Sequence, residues 1–252
     1  MDIGFVKIHW YGITYVVGIL AAWLLLRYRG KQQYWQLSDE QVSDLIFYAM
    51  LGIILGGRLG SVLFYNFSYY LQHPIEVLYI QKGGMSFHGG LIGVLIAVWF
   101  FARKTNTSFF KVTDFIAPVV PVGLGCGRIG NFINGELWGA PSNVPWAMIF
   151  PDPAAGGIAR HPSQLYEAFL EGLILFVILW WFSGKPRPVK AISGLFLLGY
   201  GVFRLMVEFV RVPDAHIGYL AFDWLTMGML LSLPMILFGI IFIFMAYRSK
   251  RN

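Results

Sequence analysis

Gly127-Arg128-Ile129-Gly130-Asn131-Phe132-Ile133-Asn134-Gly135-Glu136-Leu137-Trp138-Gly139 puts an arginine, two asparagines, a glutamate and four glycines into thirteen residues, directly after an apolar run. Glycine at this density lets a backbone turn sharply and approach a ligand closely. Arg128 brings a permanent charge shaped for phosphate or carboxylate, and Asn131 and Asn134 bring donors and acceptors. Trp138 suits a membrane–water boundary. The plain alternative is a polar turn that ends a helix at the interface, so the rest of the chain has to decide what this stretch is for.

Composition decides the class. The chain is 57% hydrophobic and 13% charged, with a mean hydropathy of +0.63. These values are those of an integral membrane protein. The single cysteine, Cys126, excludes an internal disulfide and offers no thiolate metal site. No cofactor or metal is expected, because no cluster has plausible ligand spacing.

Seven apolar segments, about 10–26, 45–65, 85–102, 112–126, 165–182, 191–210 and 224–247, stand against the roughly 20 residues a spanning helix needs. The predicted fold is therefore all-α, with seven transmembrane helices, a small outer-face cap and one polytopic domain over 1–252. The fourth segment is short and carries Pro118 and Pro121, which kink or break a helix. The first lacks a basic leader and a small-residue cleavage site, so it reads as a retained span.

The net charge of +6 raises the question of nucleic acid, but the positions of the charges exclude it. Arg27, Arg29 and Lys31 follow the first segment; Arg103, Lys104 and Lys111 follow the third. Lys185, Arg187 and Lys190 follow the fifth, and Arg248, Lys250 and Arg251 follow the seventh. These 12 of the 19 basic residues share one side, which the positive-inside rule makes cytoplasmic. The N-terminus is expected outside and the C-terminus in the cytoplasm. The polar loops 66–84, 127–164 and 211–223 then face outward, with 127–164 forming the signature loop and cap.

Further polar residues interrupt the apolar segments. His9-Trp10-Tyr11-Gly12 opens the first span, where Tyr11 is either part of an aromatic belt or turned into a polar cavity. Gly52, Gly56 and Gly60 form a small-residue face for close helix packing. Arg58 lies among them, and a charge there costs roughly 2.5–3.5 kcal/mol unless it is paired or lines a wet cavity. In Gly83-Gly84-Met85-Ser86-Phe87-His88-Gly89-Gly90, His88 stands at the mouth of the third span as a candidate general base. His161-Pro162-Ser163-Gln164 offers a second base candidate, His161, or a helix cap.

Glu167 and Glu171 share a helix face in the fifth span, and Tyr200, Arg204 and Glu208 share one in the sixth. Arg204 and Glu208 either neutralise one another or serve a site, and intramembrane charges are by default a site hypothesis. Gly125-Cys126-Gly127-Arg128-Ile129-Gly130 matches G-x-G-x-x-G, but no βαβ unit surrounds it, so the match is chance.

An arginine-rich pocket in lipid suits an anionic phospholipid headgroup, since guanidinium forks bind phosphate in bidentate fashion. A nearby base would activate a weak nucleophile while arginines stabilise a departing phosphate. Residue chemistry alone leaves the acceptor open. It also leaves a transporter of an anionic solute or lipid as the main alternative, although no repeated halves with matching broken helices are visible. An intramembrane serine protease built on Ser86 or Ser163 is a weaker alternative, because neither serine has a G-x-S-x-G setting.

The chain closely resembles bacterial prolipoprotein diacylglyceryl transferases. The resemblance is carried by His9–Gly12, Leu55-Gly56-Gly57-Arg58, Gly84–Leu91, the 127–139 signature and Arg160-His161-Pro162-Ser163-Gln164-Leu165-Tyr166-Glu167. It continues through Lys185-Pro186-Arg187-Pro188, Gly199-Tyr200-Gly201-Val202-Phe203-Arg204, Glu208-Phe209 and Arg211-Val212-Pro213-Asp214-Ala215. Segment 140–160 looks shorter than its equivalent in some relatives, which bears on the cap.

The resemblance implies a seven-helix inner-membrane enzyme that moves the diacylglyceryl group of phosphatidylglycerol to the lipobox cysteine thiol of a prolipoprotein. It implies activity-linked roles for His88, Arg128 and Arg204, and supporting positions around the lipid for Tyr11, Asn131, Glu136, Gly139, Tyr200 and Glu208. Arg58 joins the expected lipid-site residues on residue chemistry. His88 is the expected base for the thiol, and Cys126 is expected to be a packing residue.

Overall fold

The computed structural model describes residues 2–3, 6–7, 10–32, 34–80, 83–213, 218–222 and 224–248, with side chains from residue 12 onward. In order, the elements are β1 (Asp2–Ile3), β2 (Val6–Lys7), α1 (Trp10–Gly30), α2 (Asp39–Phe64), α3 (Phe67–Gln72), α4 (Phe87–Lys104), α5 (Phe109–Ile116) and α6 (Val120–Asn134). There follow β3 (Met148–Ile149), β4 (Ala159–Arg160), α7 (Ser163–Glu167), a π-helical stretch Ala168–Ile174, α8 (Leu175–Phe182), α9 (Ala191–Glu208) and α10 (Met227–Arg248). The strands form two short antiparallel pairs, β1–β2 and β3–β4.

Six described helices are long and apolar enough to cross a bilayer, with Ser163–Phe182 continuous through its π-helical middle. Taken together, α5 and α6 are also long and apolar enough but bend by 50° at their junction, so the described residues supply six such helices, or seven if the bent pair is one span. Pro118 lies in that break, and Pro121 sits in the first turn of α6, where its missing N–H costs no helical bond. Many large apolar side chains remain uncovered, among them Ile96, Leu237 and Trp181, the last 78% exposed. An apolar surface of that extent is stable only against lipid tails, so the chain is a multi-pass membrane protein.

The structure revises the expected 127–164 loop. Residues 127–134 are the last turns of α6, and the helix stops at Gly135, whose left-handed φ of 71° closes it. Gly127 and Gly130 are thus helical, and the turn chemistry is confined to 135–139.

The fold divides into two compact units, Arg27–Thr113 and Met1–Leu26 with Asp114–Asn252. In the Arg27–Thr113 unit, α2 and α4 pack backbone to backbone. A Cβ built on Gly52 would lie 2.5 Å from the Gly93 carbonyl oxygen, and one on Gly56 2.3 Å from that of Gly89. The small-residue face anticipated at Gly52, Gly56 and Gly60 therefore has its partner in Gly89 and Gly93. Ser38 opens α2 with a capping box to Gln41, and Lys104 closes α4 on Asp44 and Tyr48 at 2.9 Å each.

In the other unit, α6 lies against the π-helical stretch where Gly125 meets Gly172, and α9 lies against α10 where Gly194 meets Gly239. Asp114 accepts hydrogen bonds from the backbone of Lys190 and Ser193 at 2.7 Å, which tethers the start of α9. Cys126 packs its side chain against Gly18 of α1, consistent with a small apolar filler.

Candidate active site

The site grows from one buried carboxylate. Glu167 ends α7 with its side chain 1% exposed, and three arginines converge on it. Arg128 of α6 forms an ion pair with Glu167 through Nε; Arg204 of α9 approaches at 3.5 Å and Arg211, just past α9, at 3.4 Å. Glu208 takes the other side of Arg204 at 2.8 Å and lies 4.0 Å from Arg211. Thr226 donates its hydroxyl to Glu208 at 2.9 Å and accepts from the Met229 N–H, so the start of α10 is drawn into the same network. Gly228 is needed there because a Cβ would lie 2.5 Å from the Glu208 carboxylate.

The three guanidinium groups are not equally covered. Arg211 is 9% exposed, Arg204 15% and Arg128 21%. Arg128 is thus held by one nitrogen while keeping the largest open fraction of the three. Arg211 is desolvated and sits beside Arg204, which lowers its proton affinity below the ordinary guanidinium value. It stays charged at any working pH.

Glu171 lies one turn past Glu167 in the π-helical stretch and is wholly buried, with neither carboxylate oxygen hydrogen-bonded among the described residues. Such π-helical insertions widen a helix and recur at functional sites. Tyr200 shares the α9 face with Arg204 and Glu208, and its ring stacks on Phe196 at 5.9 Å.

The 135–139 turn is tied down by the segment that follows the cap. Asn131 donates to Glu136 Oε1 at 2.8 Å, and Gln164 donates to the Glu136 carbonyl at 2.6 Å. Ser163 donates its hydroxyl to the Leu137 carbonyl at 3.1 Å, so it braces the signature turn and the helix-cap alternative is not realised. Leu137 is held at a φ of 58°, and Gly139 slots between His161 and Val210, where a Cβ would come within 2.8 Å of His161 Cβ. His161 bonds its ring Nδ1 to the Tyr166 hydroxyl at 3.1 Å, and Trp146 donates to the same hydroxyl at 2.6 Å. His161 is thereby anchored in the cap.

Of the residues singled out from the sequence, the structure brings Arg128, Arg204 and Glu208 into one charged network, Asn131 to Glu136, and Gly139 to His161. Arg58 and His88 belong to the Arg27–Thr113 unit. His88 is exposed near the start of α4, its ring edge-on to Phe87 at 5.6 Å. Arg58 is 4% exposed and donates to the carbonyls of Glu76, Val77, Gly83 and Gly84 at 2.5 to 3.3 Å. Four of its five N–H donors are thus given to backbone carbonyls. Tyr11 lies in α1, but its side chain is outside the described ones. Sequence reasoning missed Glu167 as the hub and Arg211 as the third guanidinium. The available signals were the glutamate pair in an apolar helix and the three-residue spacing of Glu208 and Arg211.

A family model for prolipoprotein diacylglyceryl transferase matches residues 1–245. The chain belongs to the prolipoprotein diacylglyceryl transferase family. It is 60% identical to the phosphatidylglycerol–prolipoprotein diacylglyceryl transferase of Methylococcus capsulatus, over 99% of this chain and 95% of the relative. It is 58% identical to the same-named protein of Pseudomonas paraeruginosa and 57% identical to that of Pseudomonas fluorescens, each over 98% of this chain and 92% of the relative. Neither the family nor these relatives is named as a transporter.

Proposed function

We infer that this chain is a phosphatidylglycerol–prolipoprotein diacylglyceryl transferase, which moves the diacylglyceryl group from the lipid to a cysteine thiol of a prolipoprotein. The observation that carries the reading is Arg128: its Nε rests on buried Glu167, and its guanidinium is the most open of the three gathered there. A group held this way is oriented without being used up, which suits a phosphate.

The thiol sulfur attacks the glycerol carbon that bears the phosphate. The C–S bond forms as the C–O bond breaks, the phosphate oxygen keeps the electron pair, and glycerol phosphate departs. Arg128 and Arg204 offset the charge that grows on the phosphate. The thiol gives its proton to His88, since a thiol near pKa ~8.5 is only partly ionised at neutral pH. Asn131, Glu136, Gly139, Tyr200 and Glu208 shape the lipid site, and Tyr11 joins them from α1. His161 is the second candidate for the proton.

The basic stretches after alternate spans support an N-terminus outside and a C-terminus in the cytoplasm, with the site facing the outer side of a bacterial inner membrane. On this reading the partners are phosphatidylglycerol, the lipobox-bearing signal peptide and the bilayer. The test is turnover by purified protein in detergent given phosphatidylglycerol and a lipobox peptide, with glycerol phosphate release followed beside Arg128→Ala. Release that requires both the peptide thiol and Arg128 supports the reading. A folded wild type that binds lipid yet releases nothing would overturn it.

A further inference from the structure

Arg58 is a buried cation with no carboxylate within ion-pair distance among the described residues. Its counter-charge is a set of carbonyl dipoles: Nε donates to Val77 at 2.8 Å, Nη2 to Glu76 at 2.5 Å, and Nη1 to Gly83 at 2.5 Å and Gly84 at 3.3 Å. The Tyr70 ring covers the guanidinium at 5.1 Å. Gly83 and Gly84 adopt left-handed φ values of 83° and 77°, a conformation open to glycine and strained for other residues. The same α2 turn grips the start of α4. Ser86 N–H donates to the Gly57 carbonyl at 2.8 Å, and Ser86 Oγ caps α4 by accepting from Gly89 N–H at 3.1 Å. Gly89 itself packs on the backbone of Gly56 and Gly60. His88 lies between these fixed points.

We propose that Arg58 is a positioning residue for His88: by clamping the carbonyls of Glu76, Val77, Gly83 and Gly84 to α2, it sets where the imidazole stands on the first turn of α4. A lysine keeps the charge but presents one nitrogen, so it cannot hold Nε, Nη1 and Nη2 partners at once. The proposal rests on the transferase reading and on His88 as its proton acceptor. It departs from the headgroup role that residue chemistry alone suggested for Arg58.

The experiment compares Arg58→Lys, His88→Asn and the double variant in turnover with phosphatidylglycerol and a lipobox peptide. Arg58→Lys is expected to lower kcat by ~10- to 100-fold, as a misplacement near 1 Å does, with KM for the lipid unchanged and little further loss on the His88→Asn background. Gly84→Ala leaves the charge intact but puts a Cβ 3.0 Å from Arg58 Nη1, and it should reproduce the kcat effect. It carries the test if Arg58→Lys does not fold. A raised KM at constant kcat would make Arg58 a headgroup ligand and overturn the proposal, as would losses that multiply in the double variant. NMR of 13C-histidine-labelled protein, with His88 assigned through His88→Asn, separates this from the function itself. A shifted His88 signal in Arg58→Lys supports the clamp even if wild-type turnover fails, and an unmoved signal sinks it.

Discussion

Arg204 Nη2 lies 2.8 Å from Glu208 Oε2, one helical turn along α9, and both side chains are almost wholly withdrawn from solvent. The pair does not stand alone, since Arg204 also reaches Glu167 and Glu208 also holds Thr226. Breaking a buried pair by removing one partner typically costs ~3–5 kcal/mol, because the other charge is left uncompensated. Glu208→Gln should therefore lower the unfolding midpoint in detergent and reduce glycerol phosphate release together. A variant with wild-type stability and turnover would contradict the network.

Glu167 has more at stake, because three guanidinium groups depend on it. Glu167→Gln keeps the shape and removes the charge, leaving Arg128, Arg204 and Arg211 to repel one another. Turnover should fall at least as far as in Arg128→Ala. Combining the two substitutions should add less than the sum of their separate effects, as expected for residues in one network. A kinetic double-mutant cycle measures this directly.

Arg128 is expected to resist conservative replacement. Lysine retains the charge but cannot keep one nitrogen on Glu167 while offering a planar fork to a phosphate. Loss of a transition-state donor of this kind costs ~100- to 1000-fold in kcat. Steady-state kinetics of Arg128→Lys would show it, and a kcat within a few-fold of wild type would remove the fork from the mechanism.

Gly139→Ala should collapse the signature turn even though only one methyl is added. The new Cβ would sit 2.6 Å from the Val210 carbonyl and 2.8 Å from His161, and backbone cannot give way there cheaply. Limited proteolysis of the 136–161 region should accelerate, with turnover lost in parallel.

Cys126→Ala is expected to stay active. The thiol packs beside Gly18 in α1 and forms no part of the charged network. A small decrease in thermal midpoint with unchanged glycerol phosphate release is the expected result.

The sequence by itself determined the membrane class, the six long apolar helices, the proline-marked break before α6 and the small-residue seam of α2. Each of these follows from local properties: run length against bilayer thickness, the missing proline N–H, and periodicity along one helix. The Arg204–Glu208 pair was legible for the same reason, as its partners are neighbours on one helix face. Only the tertiary structure decided that Glu167 gathers arginines from α6, α9 and the segment beyond, and that Ser163 and Gln164 brace the turn at 136–137. It likewise decided that Arg58 gives four of its five N–H donors to backbone carbonyls. Those partners are distant in the chain and meet only when close-packed glycine faces fix how the helices lie. A residue's charge is written in the sequence, but the group that neutralises it is chosen by packing.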